Sequence, residues 1–196
     1  MSGTNFILAG VGGQGTLLAS NVVAHVGVEA GFDVKKAEVH GMAQRGGSVN
    51  SHVRWGKKIY SPLIGPGEVD YLVVLEKLEA LRYLDMLRPG GTVLVGEMRI
   101  PPLSVSSGDD VYPDDDRVRR TIGERTDKLV WVPSIRLAEG AGNARAHNVV
   151  VLGALSARID RVPAEIWRQV IARWVPQRYL QVNMDAFEAG RQLALE

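Results

Sequence analysis

Not one cysteine occurs among the 196 residues of this chain. That removes structural disulfides, thiolate nucleophiles, zinc–thiolate sites and cysteine-ligated iron–sulfur clusters, so any such cofactor has to be carried by another polypeptide. An excess of one charge is lacking too. Lys and Arg number 23 against 22 Asp and Glu, a formal net charge of +1. Nucleic-acid binding would therefore need a local basic patch, and none stands out. Long apolar runs are absent, and the N-terminal MSGTNFILAG passes straight from apolar residues into glycines without a basic leader. Neither a signal peptide nor a spanning helix is expected, which predicts a cytoplasmic protein that binds no membrane. No Ser sits in a nucleophile elbow, no His or Asp cluster has metal-ligand spacing, and no full acid–base set is visible.

What is present is ordinary globular material: 45% hydrophobic and 23% charged residues, enough for one substantial core and too little for two. A single domain over residues 1–196 is expected. Asn5 to Gly10 reads as a buried strand and Thr16 to Ala30 as a helix ended by Gly31. Asp33 to Val39 returns as a strand, completing a βαβ unit. Val49, Ser51, Val53 and Trp55 alternate with Asn50, His52 and Arg54, which predicts a strand that turns at Gly56 into Ile59 and Tyr60 as a hairpin. A second βαβ unit follows: strand Val69 to Leu75, helix Leu78 to Leu87 stopped by Pro89, Gly90 and Gly91, and strand Thr92 to Gly96. Residues 101–113 read as a surface excursion, Asp114 to Asp116 as a helix opening, and Leu129 to Val132 as a short strand. Helices are expected over Asn143 to Ile159, from Pro163, and over Asp185 to Leu195. Fold class is thus α/β: a three-layer α/β/α, Rossmann-like domain with a mixed, mainly parallel sheet and a helical C-terminal third.

Two glycine loops carry the functional signal. GVGGQG, from Gly10 through Gly12, Gly13 and Gln14 to Gly15, lies between strand and helix, where an anion can dock on a helix N-terminus. Its spacing fits a dinucleotide fingerprint, but the ribose-binding acid is in doubt, because Glu38 lies beside Lys35 and Lys36 and can serve merely as their ion-pair partner. LRPGGTVLV, Leu87 to Val95, looks like a late strand of S-adenosylmethionine methyltransferases, although Leu8 stands where their first motif has a carboxylate. The second loop, HGMAQRGG, spans His40 to Gly47. Gly41, Gly46 and Gly47 permit close backbone approach, while His40, Gln44 and Arg45 offer hydrogen bonds and one permanent charge. Both loops follow strands of the same direction and are expected to line one sheet edge. Of the other histidines, His25 reads as packed or at a rim and His52 as structural. His147 and Asn148 open an apolar helix and can either cap it or face a partner. Trp167, Trp174 and Tyr179 are expected to leave apolar surface exposed for a subunit contact.

GVGGQG, HGMAQRGG, NVVVLGAL (Asn148 to Leu155) and VNMDAFEAG (Val182 to Gly190), in this order and spacing, resemble the gamma-type subunit of 2-oxoacid:ferredoxin oxidoreductases over residues 5 to 191. Within that superfamily the HGMAQRGG form is similar to the beta subunit of the indolepyruvate type. The resemblance implies a hetero-oligomer whose alpha subunit carries thiamine diphosphate, magnesium and 4Fe-4S clusters. It also implies oxidative decarboxylation of an aryl 2-oxoacid with coenzyme A as co-substrate and ferredoxin as electron acceptor. His40 and Arg45 become candidate catalytic residues. Gly10, Gly12, Gly13, Gln14, Gly15, Gln44, Arg45, Gly46, Gly47 and Asn148 become candidates for binding coenzyme A or substrate. A stand-alone NAD(P)- or S-adenosylmethionine-binding enzyme and a purely structural assembly subunit remain the alternatives.

Overall fold

A computed structural model describes residues 3–40 and 47–196, with the side chain of His40 outside the description. Its centre is a six-stranded sheet in the order β2-β3-β1-β4-β5-β6. The strands are β1 (Thr4–Val11), β2 (Asp33–His40), β3 (Ser48–Gly56), β4 (Val69–Glu76), β5 (Leu87–Met98) and β6 (Leu129–Val132). From β1 through β4, β5 and β6 the pairing is parallel, whereas β3 runs antiparallel to both β1 and β2. The mixed, mainly parallel sheet is as expected.

Strand alternation builds the layers. Phe6, Leu8, Val73, Leu75, Leu94, Val130 and Val132 face one apolar cluster, while Ile7, Ala9, Leu72, Val74, Val93 and Val95 face the other. The first face is covered by α1 (Thr16–Glu29), α5 (Ser134–Gly140), α6 (His147–Ser156), α7 (Ala164–Trp174) and α8 (Leu180–Leu195). The second is covered by α2 (Lys77–Arg82) and α4 (Asp115–Gly123), and a short α3 (Leu103–Ser106) lies between β5 and α4. Asp114 opens α4 as expected, its side chain accepting from the Arg117 N–H at 2.7 Å.

Several expectations are corrected. The strands β1 and β2 are parallel but not neighbours, because β3 is inserted between them, so the first βαβ crossover spans an antiparallel strand. The hairpin from Gly56 to Ile59 and Tyr60 does not form: both edges of β3 are already taken by β1 and β2. The helix expected over 78–87 stops at Arg82, and after a 3-10 turn, Leu84–Met86, the buried Leu87 already pairs with Val69 as part of β5. The helix expected over 143–159 is shorter, with a 3-10 turn at Ala144–Ala146 before α6, and α5 precedes it. Trp167 is fully buried, its ring 6.4 Å from that of Trp55, so it offers no surface; Trp174 and Tyr179 are exposed.

All ten residues of α6 are buried, and it crosses α8 at very short range. A Cβ on Gly153 would overlap the Phe187 carbonyl oxygen of α8, and one on Gly190 would overlap the Val150 carbonyl oxygen of α6. Backbone cannot yield as a side chain does. Gly153→Ala and Gly190→Ala should therefore each destabilise the chain by about 2 to 3 kcal/mol, read as a lower urea midpoint with an unchanged slope.

Candidate functional site

The crevice where a ligand is expected follows from topology. The chain leaves β1 through α1 toward one sheet edge and leaves β4 through α2 toward the other, so a switch point lies outside the carboxyl ends of β1 and β4. The GVGGQG loop sits at that point. Gly15 is the N-cap of α1 with φ 82°, a left-handed conformation that a side chain disfavours, and no side chain among the described residues caps α1. A Cβ there would also overlap the Asn148 side chain, whose Nδ2 donates to the Gly15 carbonyl at 3.3 Å.

Two cavities flank the loop. The first, about 510 Å³, lies between Gly12, Gly13, Gly15, Thr16 and Leu17 on one side and Glu38, Val49, Asn50 and Ser51 on the other. The second, about 660 Å³, runs from the same glycines to Met98, Ile100, Ile135, Arg145 and His147. The Gly12 N–H donates to the Gly47 carbonyl at 3.0 Å, so the carboxyl-terminal residue of HGMAQRGG meets the first loop as the common-edge argument expects. Gln44, Arg45 and Gly46 lie outside the described residues, as do Gly41 and the His40 side chain.

The candidates that are described divide by what they already do. Gln14 is spent within the protein: its Oε1 accepts from Val11 N–H at 2.7 Å, and its Nε2 donates to the Leu75 carbonyl at 3.3 Å and Met98 Sδ at 2.8 Å. Gly10 is what makes room for this, since a Cβ there would crowd Gln14 Oε1 and Thr16 Oγ1. Asn148 is engaged at both polar ends, its Oδ1 accepting from Val149 N–H at 2.9 Å. Gly12, Gly13 and Gly15 line both cavities. Glu38 pairs with Lys36 at 2.8 Å while lining the first cavity. His25 is exposed beside the Trp174 ring, and His52 Nδ1 accepts from the Ile64 N–H at 3.1 Å, the rim and structural places expected of them.

Other polar groups lie at the crevice: His147, which the sequence placed at a helix entrance to cap it or face a partner, and Thr16 and Asn50, which the sequence reading did not single out for a site. Thr16 Oγ1, Asn50 Oδ1 and His147 Nδ1 are buried without a hydrogen-bond partner among the described residues. Below them two carboxylates, Glu76 at the end of β4 and Glu79 in the first turn of α2, brace the walls. Glu76 accepts from the Leu78, Glu79 and Ile100 N–H groups at 2.7, 3.2 and 3.0 Å and from the Tyr112 hydroxyl. Glu79 accepts from Ser48 Oγ at 2.5 Å and Arg82 Nε at 3.1 Å, and Ser48 also meets the Tyr83 hydroxyl, which takes the Asn50 amide. Burial raises the Glu79 carboxyl above its usual range, with the Ser48 hydrogen bond and Arg82 pulling it back. Burial and the bond to Glu76 push the Tyr112 phenol up. The signal for this pair was a carboxylate directly after the buried run VDYLVVL, at the ligand-facing end of a strand.

An α/β protein with an open mixed sheet and a glycine loop at its switch point is the class these features define. The family model described as pyruvate ferredoxin/flavodoxin oxidoreductase matches residues 5–193. The chain belongs to that family. It is 39% identical over 194 residues to the indolepyruvate oxidoreductase subunit IorB of Pyrococcus horikoshii, covering 98% of this chain and 96% of that one. The IorB subunit of Archaeoglobus fulgidus is 36% identical over 192 residues, covering 97% and 95%. Among solved structures, the gamma subunit of keto/oxoacid ferredoxin oxidoreductase from Geobacter sulfurreducens shares the fold, with a TM-score of 0.72 at 23% identity and 98% of each chain covered. So does the 2-oxoglutarate:ferredoxin oxidoreductase of Magnetococcus marinus, at TM-score 0.74 and 20% identity, where this chain matches 31% of the longer one.

Burial lowers the His147 pKa from 6.5 to about 4, and His52 is lowered in the same direction. The unfolded chain therefore takes up a proton near pH 6.5 that folded His147 refuses until about pH 4. His147 contributes a loss of stability as pH falls through that window, reaching about 3 kcal/mol, and the raised pKa of Glu79 acts in the opposite sense. Urea unfolding at pH 7 and pH 4.5 should show a smaller loss for His147→Gln than for the parent chain.

Proposed function

We propose that this chain is the non-cluster, gamma-type subunit of a thiamine-diphosphate-dependent 2-oxoacid:ferredoxin oxidoreductase of the indolepyruvate type. The observation that carries the proposal is near-full-length similarity to indolepyruvate oxidoreductase subunits in a chain whose glycine loop borders two cavities. The chain acts as one unit over residues 1–196. Its partner is an alpha subunit that holds thiamine diphosphate, magnesium and the 4Fe-4S clusters, a division that agrees with a sequence without cysteine. The assembled enzyme is a cytoplasmic hetero-oligomer. It takes an aryl 2-oxoacid such as indole-3-pyruvate and coenzyme A to acyl-CoA and carbon dioxide, passing two electrons to ferredoxin and releasing one proton. Carbanion chemistry is what thiamine diphosphate supplies.

This chain contributes shape, hydrogen bonds and charge. The N-terminus of α1 and the buried Thr16 hydroxyl, neither matched by a side chain among the described residues, suit a phosphate of coenzyme A or a 2-oxoacid carboxylate at the first cavity. Arg45, one residue short of the Gly-Gly pair, supplies the fixed positive charge for bidentate binding, with Gln44 and His40 adding polar contacts and Gly46 and Gly47 giving clearance. A purely architectural role is the second reading, favoured by the fact that Gln14 and Asn148 spend their polar atoms inside the chain.

The enzyme assembled with Arg45→Glu separates the two. Direct binding predicts an intact complex with a Michaelis constant for coenzyme A or 2-oxoacid raised at least about ten-fold; loss of assembly supports the architectural role instead. Thr16→Val should leave the free chain as stable as before or more stable by up to about 1 kcal/mol, because it removes an unpaired buried hydroxyl. The same variant should raise the Michaelis constant for the anion that this hydroxyl meets.

A further inference from the structure

A concentration of charge lies at the end of the sheet opposite the glycine loops. The parallel strands β1, β4, β5 and β6 all start at this rim, and the chain returns to it at residues 157–161, after α6. Between that turn and the strand starts is a cavity of about 360 Å³, bordered by Thr4 of β1, Tyr71 of β4, Thr92 of β5 and Lys128 just before β6. A smaller cleft of about 270 Å³ adjoins it, with Thr92, Lys128 and Arg158 lining both.

Four cations, Arg88, Lys128, Arg158 and Arg161, line the cavity against two carboxylates, Asp70 and Asp160. The carboxylates do not cancel them. Asp70 is already engaged, one oxygen accepting from the Asn5 N–H at 2.8 Å and the other from Arg88 Nε at 2.5 Å. Asp160 offsets one further charge, and Asp127 lines only the smaller cleft. Donor capacity is left over as well. The Lys128 ammonium gives one hydrogen bond, to the Gly90 carbonyl at 3.2 Å, while the Arg158 guanidinium and the Thr92 hydroxyl give none among the described residues.

The frame around these groups is fixed. The Tyr71 hydroxyl donates to the Arg158 carbonyl at 2.8 Å, and Arg161 donates to the Thr4 hydroxyl and lies over the Phe32 ring, 4.9 Å from its centroid. Apolar surface is scarce. Ile159 is the one aliphatic side chain of the lining, and the Tyr71 ring is stacked on Phe6 at 5.5 Å.

We propose that this cavity binds a compact anion bearing two or more phosphate or carboxylate groups, held by Arg158 and Lys128, with Arg88 and Arg161 adding to the positive field. Guanidinium groups take such oxyanions through paired hydrogen bonds. A singly charged anion would leave cations unmatched, and a ligand built on a ring would find no apolar face to lie on. The cavity and the crevice sit at opposite ends of the eight-residue strand β1, roughly 20 Å apart. The proposal therefore does not rest on the oxidoreductase reading.

The test titrates the purified chain at low ionic strength with tripolyphosphate and with citrate, using inorganic phosphate and acetate as the controls of lower charge. At least one polyanion should bind about ten-fold or more tightly than its control and raise the thermal midpoint. Tighter binding of tripolyphosphate alone marks a phosphate ligand, and of citrate alone a carboxylate one. Arg158→Gln and Lys128→Gln, both at exposed positions, should each weaken binding about ten-fold while leaving the midpoint of the unliganded chain in place. Thr16→Val, at the crevice, should leave this binding unchanged. Equal affinity for the controls, binding of neither polyanion, affinity that either basal substitution leaves unmoved, or loss of binding in Thr16→Val overturns the proposal. None of these outcomes bears on whether Arg45→Glu alters the assembled enzyme, so the two readings fail separately.

Discussion

The close crossing of α6 and α8 is the constraint on which the crevice depends. With no side chain at Gly153 or Gly190, the two helices meet backbone to backbone, and α6 is pressed between α8 and the sheet with every residue out of water. Its first turn then lies against the glycine loop, where Asn148 fills the space that a Cβ on Gly15 would take and holds the Gly15 carbonyl. The loop in turn meets the end of the second glycine segment through Gly12 and Gly47. The segments that carry the sequence resemblance are thus links in one physical chain, from VNMDAFEAG to NVVVLGAL to GVGGQG and on to Gly47.

That continuity separates residues that shape the crevice from residues whose polar groups are left over at its walls. Gly10, Gln14 and Asn148 belong to the first group, because their space or polar atoms are consumed by neighbours. Thr16, Arg145 and His147 belong to the second, each lining a cavity with a polar group that has no partner among the described residues. Glu76 and Glu79 stand behind both walls. One ties the segment after β5, the other the first residue of β3, so two carboxylates three residues apart hold segments on both sides of the opening.

Much of the fold was legible because apolar periodicity is a local property. The strands around Phe6, Val53, Val73 and Leu94 and the helix carrying Val22 and Val26 could be read from spacing alone. Pairing could not. Nothing within residues 48–56 says that β3 will slot between β1 and β2, since that choice is made by two partners distant in sequence. The same holds for Trp167, whose indole reads as surface on an amphipathic helix until Trp55 is known to lie opposite. At the site, the glycines announced themselves by type. Thr16, Arg145, Glu76 and Glu79 did not, because common residue types become distinctive only through burial and the absence or presence of a partner.

The outer edge of the sheet carries a further consequence. At that edge β2 pairs Lys35 with Asp33 and Lys36 with Glu38, so a strand approaching from outside would meet paired charges instead of an apolar ladder. At the other edge β6 is only four residues long. Neither margin invites the sheet to grow. With both margins closed in this way, the sheet can serve as a rigid plate whose carboxyl rim is presented without being extended.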